Sequence, residues 1–218
     1  MARLKVVALA FMAVFMLGAI AAASASALAL PEFTVETKLE SKFGKSKLNV
    51  SGAEIKSTEG GSNLSQSELV NKSLGKTTIW FKKSTLGGFQ CHTSGDANEN
   101  ILVPVEWHVV PPKTGGDELI AFLITENVEI KCTIATVTVL KGSIVIGKIG
   151  PIGSKGKTFT LEVNAPGGSQ EITEYENNAG EKVKGTLKVK VGSTEATGSQ
   201  EDEAATVTTE KETELLES

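Results

Sequence analysis

His92 and His108 are the only histidines of the 218-residue chain, and Cys91 and Cys132 are its only cysteines. A Ser or Cys nucleophile needs a base within hydrogen-bond reach, most often a histidine. His92 adjoins Cys91, and no Gly-x-Ser-x-Gly elbow accompanies either histidine, so the pattern offers no triad. Zinc needs three or four clustered ligands, and the available set is Cys91, His92, His108 and Cys132, which would require both thiols to stay reduced. Asp96, Asn98 and Asn100 repeat the alternating oxygen donors of a calcium loop. However, Ile101 stands where the tight-turn glycine belongs, and Trp107 replaces the closing carboxylate. Paired carboxylates for glycoside cleavage are available in number, but their spacing in space is not readable from the chain. The pattern assigns no catalytic, metal or cofactor residue. It leaves Trp80 and Trp107 as a candidate binding surface, with Trp80 out of phase with Ile79 and Phe81. Asn49, Asn63 and Asn71 each open an Asn-x-Ser glycosylation triplet.

The elements that would position these residues begin after an export signal. Arg3 and Lys5 form a basic start, Val6 to Ile20 is an uncharged apolar run, and Ala21 to Ala29 offers A-x-A cleavage frames ending at Ala25, Ala27 or Ala29. Basic start, apolar middle and small-residue exit are what export machinery and signal peptidase read. Residues 1–29 are therefore expected to be a cleaved signal peptide, leaving a secreted or loosely envelope-associated chain with no stable membrane insertion. An oxidising setting favours pairing Cys91 with Cys132 as a structural staple.

Charge is unevenly placed. Eight acidic residues and Lys211 fall between Glu195 and Ser218, whereas the body from Leu30 to Thr194 is nearly neutral. That distribution gives no footprint for nucleic acid. The domain reading is a β domain over 30–194 and an acidic, solvated C-terminal segment over 195–218, with room for a final strand at 205–214.

Apolar and polar residues alternate through the body. Phe33, Val35 and Leu39 share one phase, as do Phe159, Leu161 and Val163, then Leu187, Val189 and Val191, and Val128, Ile130, Cys132 and Ile134. A pleated strand collects such sets on one face, while a helix would scatter them. Glycine- and proline-rich turns separate the runs, among them Ser51-Gly52, Gly87-Gly88 and Pro166-Gly167-Gly168. The fold class is all-β: an antiparallel β-sandwich or β-barrel. Ser65-x-x-Glu68 could open a short helix. Asp117 to Ile124 reads either as a helical turn or as a strand buried on both faces. Pro104 belongs at an edge or bulge, and the phase switch between Ile134 and Val137 predicts a bulge near Ala135–Thr136.

Several words of the sequence resemble those of a known group. Leu30-Pro-Glu-Phe-Thr-Val-Glu-Thr37, Cys91-His-Thr-Ser94, Lys131-Cys132, Gly142-Ser-Ile-Val-Ile-Gly147 followed by Pro151, and Thr158-Phe-Thr-Leu161 are similar to a large paralogous family of uncharacterised secreted actinobacterial proteins with an LPEF-type mature N-terminus. The resemblance implies export and β structure and carries no activity with it. Many members of that family have another cysteine shortly before the one matching Cys91, a position that Phe81 to Gly88 leaves without one here.

Three functions fit these readings. The first is a non-enzymatic extracellular or cell-envelope contact and binding protein, whose partner would be an envelope or extracellular component. The second is a small apolar-ligand carrier of β-barrel type, its interior lined by Leu119 to Ile124 and Ile144 to Ile149. The third is a secreted hydrolase using two carboxylates.

Overall fold

The structure is a computed structural model that describes residues 31–64, 67–94, 96, 99–111, 118–177 and 179–217. The expected signal peptide, 1–29, lies outside the described residues. Strand formation follows the alternation and the abundance of Thr, Val and Ile, whose branched β-carbons suit a pleated surface. In chain order the strands are β1 (Glu32–Phe33), β2 (Leu39–Phe43), β3 (Ser46–Val50), β4 (Ala53–Ser57), β5 (Gly61–Asn63), β6 (Glu68–Asn71) and β7 (Leu74–Phe81). There follow β8 (Ser84–Leu86), β9 (Phe89–Thr93), β10 (Ile101–Val110), β11 (Glu118–Ile124), β12 (Val128–Cys132), β13 (Ala135–Val139) and β14 (Ile144–Gly150). Last come β15 (Gly156–Val163), a 3₁₀ turn at Pro166–Gly168, β16 (Glu174–Glu176), β17 (Lys182–Lys184), β18 (Leu187–Val191), β19 (Thr194–Thr213) and β20 (Leu215–Leu216).

The antiparallel pairings close the sheet on itself, which decides barrel over sandwich. One circuit runs β15, β14, β11, β10, β7, β5, β2 and β19, and returns to β15. A second runs β19, β18, β13, β12, β9, β8, β4 and β3, and returns to β19. The two circuits are the upper and lower halves of one eight-staved barrel. Along one edge of β19, Gly198 to Asp202 pair with β3 and Thr206 to Thr209 pair with β2. Along its other edge β18 is followed by β15. Seven staves thus break into two strands at mid-height, and β19 alone runs through. Among the described residues, closure leaves the main wall no open edge for another chain to extend.

Each break costs ladder hydrogen bonds, and short hydroxyl side chains take up the backbone groups it frees. Ser57 Oγ donates to Lys82 O at 2.6 Å, and Ser84 Oγ reaches Phe81 O. Thr93 Oγ1 accepts from the Leu102 amide, Thr125 Oγ1 donates to Pro104 O, and Ser143 Oγ bonds both the N–H and the carbonyl of Lys188. The unbroken β19 bends by a bulge instead. Leu161 pairs with Ala205 but Val163 with Asp202, so β19 carries one extra residue there. The bulge is clamped against the turn between β2 and β3, where Glu203 N donates to Lys45 O and Lys45 N to the Glu203 carboxylate. A Cβ on Gly44 would lie 1.9 Å from that carboxylate.

The core follows the two halves. The lower cluster is aliphatic, with Val50, Ile130, Val139 and Val189 among its most buried members. The upper cluster is built on Phe33, Trp107, Phe159 and Leu215. Phe33 and Leu215 face each other across the β1–β20 pair, and Phe33 meets the Phe159 ring edge-on at 5.3 Å between centroids. A third cluster lies outside the wall. There the β16–β17 hairpin lays Tyr175 and Val183 over Val110, Leu119, Ala121 and Ile146. Strand β11 is therefore apolar on both faces because both faces are covered, which settles the choice left open over Asp117 to Ile124 for the residues from Glu118 onward.

Two local expectations are corrected. The phase switch between Ile134 and Val137 is a hairpin, not a bulge: Cys132 pairs directly with Ala135, so Thr133 and Ile134 are the turn itself. In place of a helix after Ser65, Glu68–Asn71 is a strand against β7, with Ser65 itself outside the described residues. Pro104 is in the ladder of β7, and its carbonyl accepts from Thr125 where the β10–β11 ladder ends. Its missing N–H faces that same gap, so nothing is forfeited. The boundary expected at 194 falls at the start of β19, so the acidic segment supplies the stave that closes both circuits. Glu201, Glu203 and Glu210 point outward from it.

Candidate functional site: a cavity inside the barrel

Alternation along every stave points one set of side chains inward, and the inward set does not fill the barrel. A cavity of about 130 Å³ remains. Its walls are mostly aliphatic and aromatic, with Ile79, Val105, Phe122, Val145, Leu161 and Leu187 contributed by six different strands. Where the two halves meet, the wall carries small side chains instead: Ser46, Ser57, Ser84 and Ala205. Ser57 and Ser84 take up backbone carbonyls at the breaks, and the small volume of these side chains leaves space beside them. The volume is close to the ~150 Å³ of an apolar cavity that admits benzene or xenon.

The structure places the sequence-derived candidates as follows. Of the two runs expected to line an interior, Ile120, Phe122 and Ile124 do so with Val145 and Ile149, while Leu119, Ala121, Ile144 and Ile146 face outward under the β16–β17 hairpin. Trp107 lies on the cavity wall, 4 % exposed, with Nε1 donating to Ser67 Oγ at 2.7 Å. Its indole occupies the space above Gly75, where a Cβ would come within 2.4 Å of the ring. Trp80 is not beside it: it sits on the other face of the wall, half-buried, with Lys82 Nζ 4.3 Å above its ring. The two tryptophans do not form one surface.

Cys91 and Cys132 are joined in a disulfide between the neighbouring strands β9 and β12. With both sulfurs bonded to each other, the zinc set of Cys91, His92, His108 and Cys132 loses its thiolates. His92 lies in the lower half opposite Lys131, and His108 in the upper half with Glu106 Oε1 3.1 Å from its Nε2. In the calcium-like run, Asp96 accepts hydrogen bonds from the Asn100 amide at 3.1 and 3.2 Å, and Asn98 lies outside the described residues. Asn63 faces the cavity, its amide tied to Leu39 O and its oxygen to Ser41 N. Among the described residues no helix is long and apolar enough to cross a membrane.

One residue was missed. Asp202 lines the cavity, and it is the sole ionisable side chain that does so among the described residues. Gln200, two residues earlier on the same inner face, donates from Nε2 to Asp202 Oδ1 at 2.6 Å. Burial pushes the carboxyl up to about 7; the Gln200 hydrogen bond opposes the shift, and the neighbouring Glu201 charge adds to it. Asp202 is half-buried and borders the cavity. Across the same space, Thr77 Oγ1 is buried with no hydrogen-bond partner among the described residues. The signal that could have found Asp202 was the phase of β19. Gly198, Gln200 and Asp202 share a face with Ala205, Val207 and Thr209 only if one residue is looped out between the sets. Grouping 195–218 as an acidic segment hid that change of phase.

The fold and cavity together define a closed eight-stranded antiparallel barrel with an internal, mainly apolar chamber. Compared with protein-family models, curated proteins and solved structures, the chain matches none.

Proposed function

We propose that this protein is an exported β-barrel carrier that holds a small, mainly apolar molecule inside its wall. The observation that carries the reading is the cavity itself: aliphatic and aromatic side chains from staves all round the barrel border unfilled space, and a few fixed polar groups are set among them. Concave, largely apolar chambers with sparse oriented polar groups are how small-molecule sites are built. Export is supported by the basic, apolar and small-residue zones of residues 1–29 and by the Cys91–Cys132 bond. Membership of the secreted actinobacterial family is part of the same proposal and rests on the sequence words alone.

The contact-protein reading has less to stand on. Large exposed apolar side chains are divided between the two ends of the barrel, Phe89 and Ile134 beside the lower hairpins and Leu64, Val70 and Leu216 at the upper end. The hydrolase reading needs two facing carboxyls, and the cavity presents Asp202 alone among the described residues.

Native mass spectrometry of the purified chain tests the proposal. The expected result is a non-covalent adduct of small mass, or one formed on adding an apolar six-carbon compound, that disappears under denaturing conditions. A barrel that stays folded and takes up no such compound would contradict it.

A further inference from the structure

The inner wall presents a problem of charge. Asp202 is a carboxyl bordering a mostly apolar chamber, and no cation lines that chamber among the described residues. On β3 the inward neighbours are Ser46 and Leu48, and on β15 they are Leu161 and Val163. Lys47, the nearest basic residue along β3, is on the outer face bonded to Glu201 at 3.0 Å. Glu201 and Glu203 also lie outside. Gln200 satisfies one carboxylate oxygen, and no hydrogen bond to the other is made among the described residues. Buried carboxylates are almost always paired or hydrogen-bonded on both oxygens, because an unpaired buried charge is costly.

We propose that the molecule carried in the chamber is an aliphatic amine whose ammonium group is seated on the free oxygen of Asp202. The inference rests on the carrier reading and deepens it by naming the ligand class. An ammonium supplies both things the site lacks, a hydrogen-bond donor and a neutralising charge. An alcohol would supply the donor alone. A carboxylate would add a second negative charge to a chamber that cannot disperse the first. Burying an ion pair is normally opposed by desolvating both partners, but here folding has already desolvated the carboxylate, so the ligand brings only its own half of that penalty. The aliphatic part of the molecule would lie along Phe122, Leu161 and Val163. The volume suits a chain of about six carbons.

Isothermal titration calorimetry with hexylamine, 1-hexanol and hexanoate separates this inference from the reading beneath it. At pH 8 hexylamine should bind about tenfold or more tighter than 1-hexanol, the range expected for a hydrogen bond to a charged group, with hexanoate weakest. At pH 5 the preference for the amine should vanish, because Asp202 is then protonated while the amine stays charged. Asp202→Asn should show no preference for hexylamine over 1-hexanol at either pH. Equal binding of hexylamine and 1-hexanol by the unaltered protein at pH 8 would overturn the inference and leave the carrier intact. So would an amine preference that survives Asp202→Asn. If none of the three compounds binds the folded protein, the carrier reading falls and the inference with it.

Discussion

The two halves of the barrel are closed by different means. The lower half is packed with Val50, Ile130, Val139 and Val189, turned by tight hairpins, and stapled between β9 and β12 by Cys91–Cys132. The upper half has no covalent tie; it is closed where β1 and β20 pair and bring Phe33 and Leu215 over Phe159 and Trp107. Small β-branched residues suit a narrow section that hairpins already constrain. Large rings suit an end that must be stoppered. Between the two, neither device operates, and the serines that mend the broken staves are too small to fill the section. The chamber is where two ways of making a core fail to meet.

Removing the stopper is the severest way to break this contrast. Phe33→Ala takes a fully buried ring from the upper cluster and should cost about 3–5 kcal/mol, read as a fall in the denaturant midpoint. Because β1 is only two residues long, the loss should also free the β1–β20 pair, seen as faster hydrogen exchange at its amides and not at those of β12 and β13.

Removing the staple should act on the other half. The bond closes a sequence separation of 41 residues, and replacing both cysteines by alanine should cost about 2–4 kcal/mol. If the upper half is independent of the staple, the Trp107 emission of a Trp80→Phe background should be unchanged in the native state. A shifted spectrum would mean that the halves are one mechanical unit.

The third prediction concerns the seam. The Asp202 carboxyl is raised to about 7 in the folded protein, above the ordinary unfolded value near 3.9. Between those values the folded chain holds a proton that the unfolded chain has released. Stability therefore falls as pH rises from about 4 to 7 and levels off above. Asp202→Asn should be neutral at pH 4 and stabilising at pH 8, by on the order of 3 kcal/mol, measured as paired urea melts. Equal stability of the two proteins at pH 8 would show that the carboxyl is solvated.

The alternation of Phe159, Leu161 and Val163, or of Leu187, Val189 and Val191, made the strands legible because a period of two admits no other element. The disulfide was legible from the expected export and from the phase of its cysteines. Barrel rather than sandwich was not, because closure depends on which edges meet, and β15 finds β19 across the 30 residues that separate Val163 from Thr194. The chamber was half legible: the runs around Ile120 and Val145 were recognisable as apolar, but their outward members are hidden by a hairpin, Tyr175 and Val183, that nothing in those runs announces. Asp202 was illegible because one looped-out residue reverses the phase of β19, and a reversed phase looks like an acidic surface.

Crystals of the protein pressurised with xenon test the hollow barrel most directly, since xenon enters apolar cavities that water leaves dry. The account predicts xenon density inside the wall, among Phe122, Leu161 and Val163, with the staves unmoved. An interior filled by side chains, with xenon confined to the outer surface, would contradict it.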